Sequence, residues 1–404
     1  MYQTVRGMRD YLPEEAAKRE YVFAKCRAAF EAYGFQPLET PAVESIELLT
    51  AKGGGGEEIE KEIYAFNDKG ERRIGLRYDL TVGTARVVAS EQLAKPFKRY
   101  CIAKVWRYDR PQAGRYREFT QADIDVFGVE SVDADLECLL VTKRVFDSLG
   151  FKGYVIKVNN KALLQAMMAE CFVPQGQQLD ALRSIDKLDK LGWEGVEAEL
   201  DARNVEGKER LIEFLKSNKK LECAALDELV AKAKAAGVPV EYDATLVRGL
   251  EYYTGNVFEI RAGGKWSCGG GGRYDKMVEL YGGTPTPAVG ISYGVERVVQ
   301  LMDEAGIMPK LTAVDVLVAA VNDSVRAKAL EIAEGLRAAG VRCETDLIGK
   351  ALRKQFDYAN AKGIPRIVIV GPKDLENGEA TVRDMVSGKE DRVKLGSLAK
   401  ALIG

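Results

Sequence analysis

The sequence predicts an α+β protein: a discontinuous sheet domain, a helical unit inserted into it, and a separate α/β unit on the C-terminal side. Three observations carry that expectation. β-like segments fall in two runs, residues 72–127 and 244–300. Between them, from 161 to 237, acids and bases alternate and leucines recur at helical spacing. Over residues 314–404, apolar strand-like runs alternate with helical patterns in the order β-α-β-α-β. At roughly 100 to 200 residues per domain, a chain of 404 residues makes two to four packed units.

The first helix is punctuated at both ends. Pro13, Glu14 and Glu15 open it, Val22, Cys26, Ala29, Phe30 and Tyr33 share one face, and Gly34 closes it. A turn at 37–41 and a glycine run at 53–56 lead to short β-like segments at 72–77, 97–107 and 117–127. Residues 108–116 between the last two are rich in charge and turn formers, so the pair reads as a long antiparallel hairpin. After the helical insertion, strands are expected at 257–260, 265–268 and 288–292, before a helix starting near Gly294. The C-terminal unit should hold a buried strand at 314–321, a helix at 325–339 closed by Gly340, and a strand at 341–345. A helix at 350–361 and a strand at 366–370 complete it.

Composition removes several kinds of chemistry. There is no histidine, which excludes Ser-His and Cys-His nucleophile pairs, histidine general bases and His-ligated metals. The 7 cysteines include no Cys-x-x-Cys pair, which argues against disulfides and a thiolate metal site. With 59 basic and 61 acidic residues, any nucleic-acid binding has to be local. No apolar run reaches the roughly 18 residues needed to cross a bilayer. The first residues also lack a signal-peptide hydrophobic region, so a cytoplasmic protein with no membrane partner is expected.

What remains is arginine, carboxylate, tyrosine, lysine and backbone. Along residues 119–127, alternation places Ala122, Ile124 and Val126 on one face and Gln121, Asp123 and Asp125 on the other. Alone, such a polar face simply meets water. Here the same hairpin carries Arg107, Arg110, Arg115 and Arg117, and a second arginine–tyrosine cluster spans Leu246 to Thr254. Arg107, Arg115, Arg248 and Arg297 stand where a fixed guanidinium can grip an anion bidentately, although a surface ion pair is the commoner fate of one arginine. A polyphosphate is the natural partner, yet no Gly-x-x-x-x-Gly-Lys-Ser/Thr loop occurs. Gly53–Gly56 precedes Glu57 and Glu58, whose charge would repel phosphate. Gly269–Gly272, followed by Arg273-Tyr274-Asp275, fits either close backbone approach to a ligand or a tight bend.

In this order the residues resemble the histidyl-tRNA synthetases, a branch of the class II aminoacyl-tRNA synthetases. Residues 34–41 look like the dimer-forming motif 1. Trp106-Arg107-Tyr108-Asp109-Arg110-Pro111-Gln112 to Phe119 look like motif 2, and Ala288-Val289-Gly290 to Glu296-Arg297 like motif 3. Residues 246–254 and 270–275 resemble the two signatures peculiar to the histidine enzymes. The resemblance implies an α+β catalytic domain, residues 1–160 and 238–310, with an antiparallel sheet flanked by helices. It also implies a helical insertion at 161–237 and a C-terminal α/β anticodon-binding domain at 314–404. The activity implied is ATP-dependent conversion of histidine to histidyl-adenylate and transfer to tRNA(His), by a homodimer. ATP enters as substrate, Mg²⁺ accompanies it, and no metal is held by the protein itself.

The resemblance also assigns roles. Arg107 would hold the α-phosphate and the substrate carboxylate, with Asp109 and Arg115 at the ATP end of motif 2. Phe119 would stack on adenine, and Arg297 would cover its other side and reach the γ-phosphate. Arg248 would meet the α-phosphate from the opposite side, where related classes place a metal ion. Asp79 and Thr81 would take the ammonium group, with Gln121 beside them. Asp125 and Tyr253 would grip the imidazole in a pocket lined by Tyr252 and Tyr274. Arg110 and Gln112 would contact the tRNA acceptor end, and Lys350, Arg353 and Lys354 bring positive charge to the C-terminal unit. Many relatives carry Glu where Asp79, Asp109 and Asp125 stand, so each carboxylate here reaches about one methylene less. The run Arg77-Tyr78-Asp79-Leu80-Thr81 looks archaeal or eukaryotic in style. Two alternatives compete: a non-catalytic regulatory paralogue of ATP phosphoribosyltransferase, which has no anticodon domain, and a class II synthetase for another amino acid.

Overall fold

The structure, a computed structural model, describes residues 2–51, 61–109, 116–248, 252–263 and 266–403. The glycine run at 53–56 and the loop residues Arg110, Gln112 and Arg115 lie outside the described residues. The chain divides into two compact units, Met1–Met308 and Pro309–Gly404.

In the first unit, the helix Pro13–Ala32 starts on proline with acids in its first turn and buries Val22, Cys26, Ala29 and Phe30 in the main core. Four short strands follow: β1 (Gln36–Pro37), β2 (Val43–Ser45), β3 (Ala65–Asn67) and β4 (Arg73–Leu76). Of these, β2, β4 and β3 form a small antiparallel sheet beside the helix Thr81–Ser90. The expected hairpin is present as β5 (Phe97–Trp106) and β6 (Glu118–Phe127). Then come β7 (Val155–Asn160), β8 (Val240–Tyr242), β9 (Asn256–Ala262), β10 (Trp266–Arg273) and β11 (Ala288–Gly294).

These strands build an 8-stranded sheet in the order β1-β5-β6-β11-β10-β9-β7-β8. From β5 to β7 every pairing is antiparallel, whereas the two short edge strands pair parallel, β1 on β5 and β8 on β7. The sheet is therefore mixed, with an antiparallel centre. The helices Pro13–Ala32, Asp133–Ser148, Ala224–Ala235 and Val295–Glu304 cover one face and build the main core with it. Gly269–Gly272 lie inside β10, so the glycine run is strand and not a bend.

The helices Lys161–Glu170, Gln175–Ile185, Leu188–Ala202 and Lys208–Lys216 gather a core of their own around Met168, Ile185, Leu200 and Leu211. The helix Ala224–Ala235, which sequence spacing groups with them, sends Leu226, Leu229 and Ala233 into the main core instead. An amphipathic stripe records that a helix has a buried face but not which core receives it.

The second unit carries β12 (Val316–Ala320), β13 (Cys343–Thr345), β14 (Arg366–Val370), β15 (Glu379–Asp384) and β16 (Glu390–Lys394) in the order β13-β12-β14-β15-β16. The first three are parallel, joined through the helices Arg326–Ala338 and Leu352–Lys362. Gly340, at φ +86°, follows the first of these in the left-handed conformation that ends helices. The antiparallel hairpin β15–β16 is not anticipated from sequence. It is an edge whose residues are mostly polar, and β16 is exposed along most of its length, so the apolar alternation that betrays a strand is missing.

Candidate active site

The uncovered face of the large sheet forms the floor of a cleft of about 540 Å³. In β6, Ala122, Ile124 and Val126 enter the core while Gln121, Asp123 and Asp125 line the cleft. The polar face does not meet bulk water: Asp123 and Asp125 are each 3% exposed. Register explains how buried carboxylates are tolerated there. Arg99 lies opposite Asp125 in β5, is fully buried, and forms an ion pair with it while donating to the Leu80 carbonyl at 3.2 Å. The Tyr274 hydroxyl donates to Asp125 Oδ1. On the other side, Asp125 faces Gly290 of β11, where any Cβ would overlap Asp125 Oδ1.

Asp123 is placed differently. Across the strands it faces Cys101 and Ser292, and its Oδ1 has no hydrogen-bond partner among the described residues. Burial, with the neighbouring Asp125 charge, pushes its carboxyl up to about 7 against the pull of Arg99. Burial raises Asp125 too, again opposed by Arg99. Gln121 donates to Ser292 Oγ at 3.0 Å, and its Oε1 has no partner among the described residues. This end of the cleft is thus rich in acceptors. Tyr253 lies over Gly272, with the Tyr252 ring 4.3 Å away, centroid to centroid. Burial lifts the phenols of Tyr253 and Tyr274 well above their ordinary range, so both stay neutral donors. Asp79 Oδ1 accepts from the backbone of Thr81 at 3.2 Å and Val82 at 3.0 Å, which orients it at the start of the helix Thr81–Ser90, where both Asp79 and Thr81 line the cleft.

The opposite end is basic. Arg107 donates through Nε to the Tyr78 carbonyl at 3.0 Å, with its guanidinium 5.2 Å from the Phe119 ring centre. Arg297, in the first turn of Val295–Glu304, donates to the Ser267 carbonyl at 2.7 Å. Next to it, Glu296 accepts from the Thr120 backbone at 3.0 Å and from Tyr11 at 3.2 Å and pairs with Arg19 at 3.3 Å, tying that helix to β6 and to the N-terminal helix. Arg248, ion-paired to Glu259, also lines the cleft, close enough to Tyr253 for its charge to act on that phenol, and Asp109 lines the cleft as well. Three of the four arginines expected to converge therefore line one cleft, and Arg115 lies outside the described residues.

Sequence reading missed Arg99, Ser292 and Glu259, quoted Glu296 within the motif 3 resemblance without giving it a role, and noted Asp123 only as part of a polar face. Alternation could have placed Asp123 in the site, between Gln121 and Asp125. Nothing local marks Arg99, because its role depends on strand register. Asp186 and Lys190 of the helical insertion also line the cleft.

An acceptor-rich slot beside a cluster of guanidinium groups suits a ligand that joins a cationic part to a phosphate. The family model for histidyl-tRNA synthetase matches residues 7–298, and that for the anticodon-binding domain matches 315–404. The chain belongs to the histidyl-tRNA synthetase family. It is 37% identical to the histidine–tRNA ligase of Pyrococcus furiosus, over 99% of this chain and 98% of that protein. It is 39% identical to that of Thermococcus kodakarensis, over 96% and 95%. A crystal structure of histidyl-tRNA synthetase from Nostoc sp. PCC 7120 superposes with a TM-score of 0.87 at 28% identity, covering 100% of this chain and 99% of that one. Class II synthetase architecture thus accounts for both the large sheet and the separate C-terminal sheet. A synthetase of this family takes ATP as substrate. Among the described residues, no helix is long and apolar enough to cross a membrane.

Proposed function

We propose that the chain activates histidine with ATP and transfers it to tRNA(His). The observation that carries the reading is one cleft lined both by buried Asp125, hydrogen-bonded by Tyr274, and by Arg107, Arg248 and Arg297. The histidine carboxylate is ionised at neutral pH and needs no general base. It attacks the α-phosphorus, the new C–O–P bond forms, the bond to the bridging oxygen breaks, and pyrophosphate leaves. Arg107 and Arg248 hold nucleophile and phosphate in line and meet the charge that builds in the transition state, while Arg297 meets the leaving end. Phe119 stacks on adenine, and Asp109 and Arg115 complete the ATP end. Asp79, Thr81 and Gln121 take the ammonium group. Asp125 accepts from the imidazole N–H and Tyr253 donates to the other nitrogen, between Tyr252 and Tyr274.

Mg²⁺ fits as a companion of the nucleotide because carboxylates, the hard oxygen donors it prefers, line the same cleft as the phosphate-gripping arginines. The lining carboxylates Glu62 and Asp109 would share it with the phosphates. When bound, it neutralises charge on the leaving pyrophosphate. Arg110 and Gln112 contact the tRNA acceptor end, and Lys350, Arg353 and Lys354 meet tRNA from the C-terminal unit. A cytoplasmic homodimer assembles through residues 34–41, in support of which β1 is an exposed edge strand. Against the regulatory paralogue stands the C-terminal match at 315–404. The deciding experiment is amino-acid-dependent pyrophosphate exchange with all twenty amino acids. Exchange with histidine alone is expected, and exchange driven by another amino acid, or by none, overturns the reading.

A further inference from the structure

Glu259 is 1% exposed on the cleft side of β9, and each of its oxygens meets a guanidinium. Oε2 pairs with Arg248, and Oε1 accepts from Arg261 Nε at 2.7 Å. Its cross-strand neighbour in β10 is Gly270, which has no side chain to stand beside it. Arg261, two residues along the same face, also reaches Asp189 Oδ2 at 2.9 Å, and Asp189 belongs to the insertion helix Leu188–Ala202. Four alternating charges therefore run from the insertion to Arg248: Asp189, Arg261, Glu259, Arg248. Three residues before Asp189, the exposed Asp186 lines the same cleft within reach of the Arg248 charge.

An arginine side chain loses rotamer entropy when it is held in one geometry, and the Arg248 side chain is 40% exposed. A guanidinium has several N–H donors, so one held by a carboxylate keeps others for a phosphate oxygen. Exposed pairs are worth little, but Glu259 is buried and doubly bonded, which makes it an anchor. We propose that Glu259 is a positioning residue that fixes Arg248 for adenylate formation, and that Arg261 and Asp189 extend this hold to the helical insertion. The proposal rests on the reading of Arg248 given above.

A double-mutant cycle in histidine-dependent pyrophosphate exchange tests it, with thermal melting of each full-length variant as a folding control. Glu259→Gln should lower kcat by about 10²-fold, the scale of losing one preorganised charge-stabilising group, with ATP KM within about 2-fold. In the Arg248→Ala background the same change should cost less than about 2-fold, because residues acting as a unit are non-additive. Asp189→Ala, on an exposed position that folding tolerates, should lower kcat by roughly 3-fold in the parent and not at all when Arg261→Ala is also present. Equal losses in both backgrounds, or no loss in Glu259→Gln, overturn the positioning role. An unchanged Asp189→Ala overturns the link to the insertion. An Arg248→Ala variant with full exchange would strike the proposed function of Arg248 itself, and the anchor built on it, which is a different failure from additivity.

Discussion

The Asp125 carboxylate is held by the Arg99 guanidinium and the Tyr274 hydroxyl, with glycine opposite it in β11. Removing Asp125 would strand a fully buried arginine, a change that costs about 3 to 5 kcal/mol when one partner of a buried pair is lost. Activity and stability would then fall together. Gly290→Ala keeps both charges of the buried pair, while its methyl, overlapping Asp125 Oδ1 and Cγ and crowding the Ile124 carbonyl, forces that carboxylate to shift. The variant should lose some stability, and in the folded protein histidine KM should rise by at least about 10-fold with ATP KM unchanged. Steady-state exchange kinetics read both, and an unaltered histidine KM would remove Asp125 from the pocket. Asp123 sets a pH dependence. Its carboxyl is raised from 3.8 to about 7, so folding favours the protonated form. The stability it contributes is fully present below pH 3.8 and is lost as pH climbs through about 7. At about 1.4 kcal/mol per unit, the loss is on the order of a few kcal/mol. Without substrates, Asp123→Asn should melt higher than the parent at pH 8, with the gap closing toward pH 4. A gap independent of pH would contradict the shift.

At the scale of elements, β10 shows what four glycines in a strand can do. Gly269 and Gly271 face the packed side, where a Cβ on Gly271 would overlap the Gly290 carbonyl and one on Gly269 would press Ile260 and Tyr293. Gly270 faces the cleft, and a Cβ there would meet only the Phe258 carbonyl at 3.1 Å. Gly271→Ala should therefore cost at least about 2 kcal/mol of stability by prying β10 from β11. Gly270→Ala should fold with little loss yet impair exchange, because it fills space beside Glu259 and Ser292. Denaturant melts and exchange rates of the two variants should separate cleanly, and equal destabilisation would refute the facing. In sequence the glycine run fitted either close approach to a ligand or a tight bend. Its being strand was not legible, because glycine has no side chain to show alternation. The hairpin β5–β6 and the helix Pro13–Ala32 were legible to within a residue or two, since both carry strong periodicity and clear end signals.

At the scale of the molecule, the division at 308 and 309 separates chemistry from a second unit with its own cores and sheet. Deleting residues 309–404 should leave histidine-dependent pyrophosphate exchange within about 3-fold, while aminoacylation of tRNA(His) falls by at least about 10²-fold, the scale of losing several phosphate and base contacts. Undiminished charging would exclude an anticodon role for that unit.

Local order along the chain was enough to establish which chemistry is available and in what sequence the elements come. A chain without histidine must work with guanidinium, carboxylate and phenol, and its strand and helix periods are properties of neighbouring residues. Burial is different, because it depends on what lies across a strand pair or beneath a helix. That is why Arg99 meeting Asp125, the raised carboxyl of Asp123, the anchoring of Arg248 by Glu259 and the allegiance of the helix Ala224–Ala235 emerged only once residues far apart in the chain were packed together.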